Sequence, residues 1–129
     1  MSARIQQMCL AGLLLASLGF PAVKAAQDTT AQTGTAVYYS DTMNGKAVSL
    51  KGETYDKNAL TAATHKGYPL GSKVRVTNLS NNKSVRVKVN DRMNSKSKAV
   101  IDLSRKAAEE IDMIHSGHAK VKIELIESK

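Results

Sequence analysis

The sequence predicts a mainly β fold, a small closed barrel of short strands with one or two short helices. Valines alternate with charged or polar residues at Val74 and Val76 and again at Val85, Val87 and Val89, the period of half-buried strands. Val121, Ile123 and Leu125 repeat that period near the C-terminus. Only the stretch after Ser104 reads as a helix, and turn-rich loops fill the rest. Short strands with a single helix fit a closed barrel better than a sandwich or an α/β layer fold.

The elements are justified in chain order. Met8 to Phe20 is uncharged and apolar, ends at Pro21, and is followed by Val23-Lys24-Ala25. This predicts a signal peptide over residues 1–25, cleaved after Ala25. The run is shorter than the roughly 20 residues a membrane-spanning helix needs, so no transmembrane anchor is expected. Cys9, the only cysteine, lies inside the apolar run, where it does not suit lipoprotein attachment. The protein is therefore expected to be exported, periplasmic or extracellular, and not a lipoprotein. Residues 26–33 are small and polar and predict a flexible leader. One domain follows over residues 34–126, opening on a β-rich Thr35-Ala-Val-Tyr-Tyr39 and a turn-rich segment from Ser40 to Lys51. Val74–Thr77 and Val85–Val89 predict a hairpin around Asn78–Lys83. Ser104 predicts an N-cap for a helix reaching Met113, with Gly117 as a stop. Ala119 to Ile126 predicts the last strand.

Composition narrows the function classes. The chain carries 19 Lys and Arg against 11 Asp and Glu, a formal net charge of +8, and loss of Arg4 and Lys24 with the leader lowers it to +6. Such a surface suits anionic partners outside the cytoplasm, although the basic residues alternate along strands as on an ordinary solvated face. Export disfavours nucleic acid as a partner despite the charge. Without the leader no thiol remains, and His65, His115 and His118 lack a ligand spacing, so no metal or cofactor is expected. A core without disulfides, Trp or Phe must be built from Val, Ile and Leu, and a monomer is expected.

The candidate chemistry lies in loops. Asp91 continues the parity of Val85, Val87 and Val89, which would aim it along the core face at a barrel mouth, where desolvation raises a carboxyl pKa and suits a general acid. A turn aspartate paired with Arg92 is the simpler alternative. Glu53 and Asp56 are three apart; their carboxylates share a side in a helical turn and diverge in extended chain. Taken alone they read as solvated loop acids. Tyr38, Tyr39, Tyr55 and Tyr68 are candidates to stack on sugar rings, with Tyr55 favoured because it adjoins the acids.

Gly52-Glu-Thr-Tyr-Asp56, Ala59-Leu-Thr-Ala-Ala63, His65, Pro69-Leu-Gly71, Asn90-Asp-Arg92 and Ile101-Asp-Leu-Ser104 stand in the order of the RlpA-like family, which this chain resembles from about Gly34 to Ile126. The resemblance implies a six-stranded double-psi β-barrel, related in fold to barwin and expansins. It also implies a peptidoglycan lytic transglycosylase, which cleaves the MurNAc–GlcNAc bond of glycan strands to leave 1,6-anhydro ends. It assigns activity to Glu53, Asp56, His65 and Asp91 jointly; Arg92 and Tyr55 are expected as substrate contacts. Asp102 is expected to be structural, starting the turn into the Ser104 helix or holding a loop at the groove. The chain departs from the pattern at Met93-Asn94, where a Gly-Pro-like turn is usual, and at Thr64, one extra residue before His65. A non-catalytic, expansin-like glycan-binding module is the alternative function, and a basic secreted partner-binding or inhibitor protein a remoter one.

Overall fold

The computed structural model describes residues 31–128. The predicted signal peptide and residues 26–30 of the predicted leader lie outside them. Six strands are present among the described residues: β1 Gln32–Tyr38, β2 Thr61–Thr64, β3 Lys73–Asn78, β4 Ser84–Arg92, β5 Ile101–Leu103 and β6 Ala119–Glu127. They close in the order β1-β5-β2-β4-β3-β6, with β6 returning to β1. The β1·β5 and β2·β4 pairs are parallel and the other four antiparallel. This is the expected double-psi barrel, and its closure leaves no free sheet edge. Gln32 and Thr33 pair with Ile123 and Lys122, so composition alone placed these two in the leader when β6 supplies them a ladder.

Alternation does what the sequence predicts in β3, β4 and β6. Val74, Val76, Val87, Val89, Val121 and Ile123 are buried together with Ile101 and Leu103 in the barrel core. The α-helix of the described residues, α1 Arg105–Glu110, packs Ala107 and Ala108 on that core. Ser104 caps it by accepting from Ala107 N at 3.2 Å. The helix ends short of Met113 because Asp112 takes a left-handed φ of 59°, a turn conformation that aspartate tolerates better than most residues. A 3-10 turn, Asp41–Met43, follows β1. Among the described residues no helix is long and apolar enough to cross a membrane.

One glycine fixes a loop that borders the site. A Cβ on Gly34 would lie 2.4 Å from Val100 Cγ1, and Val100 N donates to Thr35 O at 2.8 Å. The 93–100 loop thus rests on bare backbone of β1. Gly34→Ala is expected to displace this loop and lower stability by about 1–3 kcal/mol, the usual range for overpacking. Thermal unfolding measures it, and an unchanged melting temperature contradicts the packing argument.

Candidate active site

β2, β4 and β5 run side by side, and Ala63 of β2 is the ladder partner of both Asp91 and Asp102. Two interstrand steps set the aspartate backbones about 10 Å apart across a floor that the small Ala63 leaves low. Asp102 faces outward by plain alternation, since Ile101 and Leu103 are in the core. Asp91 gets there differently. The register steps from Ala62↔Val89 to Ala63↔Asp91, so Asn90 is an extra residue, a bulge that reverses the parity of the residues after it. Asp91 therefore does not prolong the inward valine row, as counting by twos implied; it stands on the opposite face, beside Ala63. The groove there holds about 340 Å³ and is lined by Tyr39, Met43, Asp91, Arg92, Met93 and Asp102, among others.

The two carboxyls have opposite environments. Asp91 Oδ1 accepts from Ser49 N at 3.0 Å, Ser49 Oγ at 2.8 Å and Arg92 N at 2.9 Å, and Oδ2 accepts from the Tyr39 hydroxyl at 2.6 Å. Burial pushes the Asp91 pKa up, but these donors together outweigh it and hold the carboxyl below its ordinary range. Asp102 Oδ1 is buried and finds no partner among the described residues. Burial, and secondarily the charge on Asp91, pushes Asp102 up to about 6. A neighbouring pair of carboxyls driven apart in this way is the usual setting for division of acid and base roles.

Tyr39 and Tyr55 support this pair from beneath. Their rings stack with centroids 4.3 Å apart and planes 9° off parallel, and the Tyr55 hydroxyl accepts from Arg105 N at 3.0 Å. Burial, then the bond and charge of Asp91, pushes the Tyr39 phenol far above its ordinary range, so it stays a donor. Tyr55 is only 2% exposed; the stacking on sugar expected of it has no open ring face to use. Arg92 lines the groove, with its guanidinium donating to Thr64 Oγ1 and His65 O, each at 3.2 Å.

The remaining predicted residues stand outside the groove lining. Glu53 lies on a turn whose Gly52 takes φ 87°, and its carboxylate accepts from Lys88 Nζ at 2.5 Å and Asn90 Nδ2 at 3.1 Å. These bonds, led by that of Lys88, hold its pKa down. Thr54 sits in a bridge with Ala47, so the chain is extended there and Asp56 diverges from Glu53. Asp56 is exposed and accepts from Asn58 N at 2.9 Å, closing a local turn. The His65 ring meets Ala99 O at 3.2 Å, while the extra Thr64 is absorbed as a fully buried residue of β2. Among the described residues no cluster of three His, Cys, Asp or Glu is placed to hold a metal.

Sequence reasoning missed Ser49, gave Asp102 only a structural role, and named Tyr39 only among the tyrosines that could stack on sugar. The alternation Ile101-Asp102-Leu103 does signal an outward acid. Ser49 gives no local signal, because only the fold of its loop brings it to Asp91. A larger cleft of about 500 Å³ lies elsewhere, lined by residues such as Asn78, Asn81 and Ser116. Several of its polar groups are engaged internally: both asparagines donate to Ile111 O, and Ser116 Oγ lies 2.7 Å from His118 O and 3.2 Å from Met113 O. The acid pair makes the smaller groove the candidate site.

Comparison with known proteins bears on the fold and the family. The chain is 48% identical over 107 residues to the endolytic peptidoglycan transglycosylase RlpA of Campylobacter jejuni, covering 83% of this chain but 38% of that relative. Among solved structures, a Streptomyces papain inhibitor superposes with a TM-score of 0.60 at 23% identity, covering 75% of this chain and 94% of its own. An expansin of Clavibacter michiganensis gives 0.60 at 18% identity, covering 77% and 52%; both likenesses bear on the fold alone. A sequence model of one family matches residues 31–123, nearly the whole barrel, and the chain belongs to that family, the lytic transglycolases.

Proposed function

We propose that this protein is an exported lytic transglycosylase, with residues 1–25 as its export signal, that cleaves the MurNAc–GlcNAc bonds of peptidoglycan glycan strands in cell-wall remodelling. The observation that carries the reading is the groove in which Asp91 is held ionised and Asp102 is pushed up to about 6, in a chain of this family.

In this mechanism the protonated Asp102 donates to the glycosidic oxygen. The C1–O bond breaks with its electron pair going to that oxygen, and positive charge develops on the muramic ring. The Asp91 carboxylate, fixed by Ser49, Arg92 N and Tyr39, faces that charge without needing to reorganise. The C6 hydroxyl of the same muramic residue attacks C1 and returns its proton to Asp102, so a single carboxyl is acid and then base. No water is consumed. Glu53 anchors Asn90, the bulge that turns Asp91 into the groove.

Digestion of purified glycan strands followed by mass spectrometry tests the proposal. Anhydro-ended fragments are expected; reducing ends mean a hydrolase, and polymer bound but uncut means a glycan-binding module.

A further inference from the structure

The groove has an acidic pair, but the stacked tyrosines beside it are not free to take a sugar face. Tyr39 and Tyr55 cover each other and are 6% and 2% exposed, so neither offers a face to a pyranose. Tyr38 also borders the groove, but it packs against the barrel core and its hydroxyl donates to Ile114 O at 3.1 Å. Two methionines stand in the apolar part of the lining, with Val37 and Ala63. Met43 ends the 3-10 turn, with its N donating to Ser40 O at 3.0 Å, and Met93 follows β4, with its N donating to Thr64 O at 3.1 Å. Both are half-buried against the Tyr39, Tyr55 and Ala63 cluster and both line the groove beside Asp91 and Asp102. An unbranched, polarisable thioether moulds around a small methyl group better than it supports a flat ring.

We propose that Met43 and Met93 determine specificity by gripping the methyl of a sugar's 2-acetamido group, so that the groove selects N-acetylated over plain hydroxyl sugars. This rests on the reading that a glycan strand enters the groove. Seating one small apolar group between such walls corresponds to about tenfold discrimination.

The test compares tri-N-acetylchitotriose with cellotriose, both neutral, which differ in bearing acetamido or hydroxyl at C2. Neither carries a lactyl methyl, so the acetamido group alone is read. Titration followed through the methionine methyl resonances should show tri-N-acetylchitotriose shifting Met43 and Met93 and binding about tenfold more tightly than cellotriose. The margin should fall to about twofold or less in Met43→Ala/Met93→Ala and persist in Met43→Leu/Met93→Leu, which keeps an apolar wall. Equal affinities in the wild type, unmoved methionine signals, or a margin retained by the alanine pair overturns the proposal. So does loss of the margin in the leucine pair, which would implicate general packing. If the alanine pair does not fold, the wild-type methyl shifts and the leucine pair still decide. Anhydro-fragment release is scored separately. Margin without release removes the transglycosylase reading and leaves the methionine walls; release without margin removes the walls alone.

Discussion

Asp102→Asn is expected to abolish glycan cleavage and, above pH 7, to make the protein more stable than the wild type. The first effect follows from losing the only carboxyl in the groove that is held toward its protonated form; loss of a general acid commonly costs about 10²–10⁴ in rate. The second follows from linkage. The folded pKa of Asp102, about 6, lies above its ordinary value of 3.8, so between these pH values the native state binds more protons than the unfolded chain. Stability falls as pH rises through that window, and the full penalty is present above it. A shift of this size corresponds to at most about 3 kcal/mol, and screening at a partly exposed groove reduces it to roughly 1–2 kcal/mol. Asparagine carries no charge and escapes the penalty. A gain of about 4–10 °C in melting temperature is expected at pH 8, shrinking toward zero near pH 3, where both side chains are neutral. Thermal unfolding across pH checks this; a variant that is inactive but no more stable at pH 8 would show that Asp102 is not strained by ionisation.

Trading stability for an acid in this way explains which parts of the molecule the sequence disclosed. Strands whose side chains answer to one core, such as Val74–Val76 and Val121–Ile123, are legible because burial imposes the period of two, and the Ser104 cap is legible because its chemistry is local. The same rule misplaced Asp91, since a bulge is one residue's departure from that period and Asn90 carries no mark of it. The parallel β1·β5 and β2·β4 pairs join segments far apart in the chain, and nothing local specifies them. Ser49 and Tyr39 reach Asp91 only through that closure. The family pattern marked Glu53 as functional, and the structure supplies a physical task for it: through Asn90 it holds the bulge. For Asp56 and His65 the pattern has no counterpart in the groove.

Asp91→Asn separates charge from shape. The asparagine carbonyl can occupy the Oδ1 position and keep the three donors from Ser49 and Arg92, while its amide meets a Tyr39 hydroxyl turned to accept. The loop over β4 should therefore hold, and only the negative charge is lost. Cleavage is expected to fall by about 10²–10⁴ because developing positive charge loses its partner. The informative result lies at the other carboxyl. Asp91 is one of the two causes that raise Asp102, so its neutralisation should lower the Asp102 titration midpoint below about 6 and carry the alkaline limb of any residual activity to lower pH. Burial, the larger cause, remains, and the midpoint should stop short of the ordinary value. The variant should also lose the stability that Asp91 contributes. A depressed folded pKa stabilises above the unfolded pKa and ceases to do so as pH falls through the folded one, so the deficit should be present at neutral pH and vanish in acid. Carboxyl NMR titration of both proteins measures the coupling directly. An Asp102 midpoint unmoved by Asp91→Asn would mean that the aspartates titrate independently, and Asp91 would then have no part in keeping Asp102 protonated for its role as the acid.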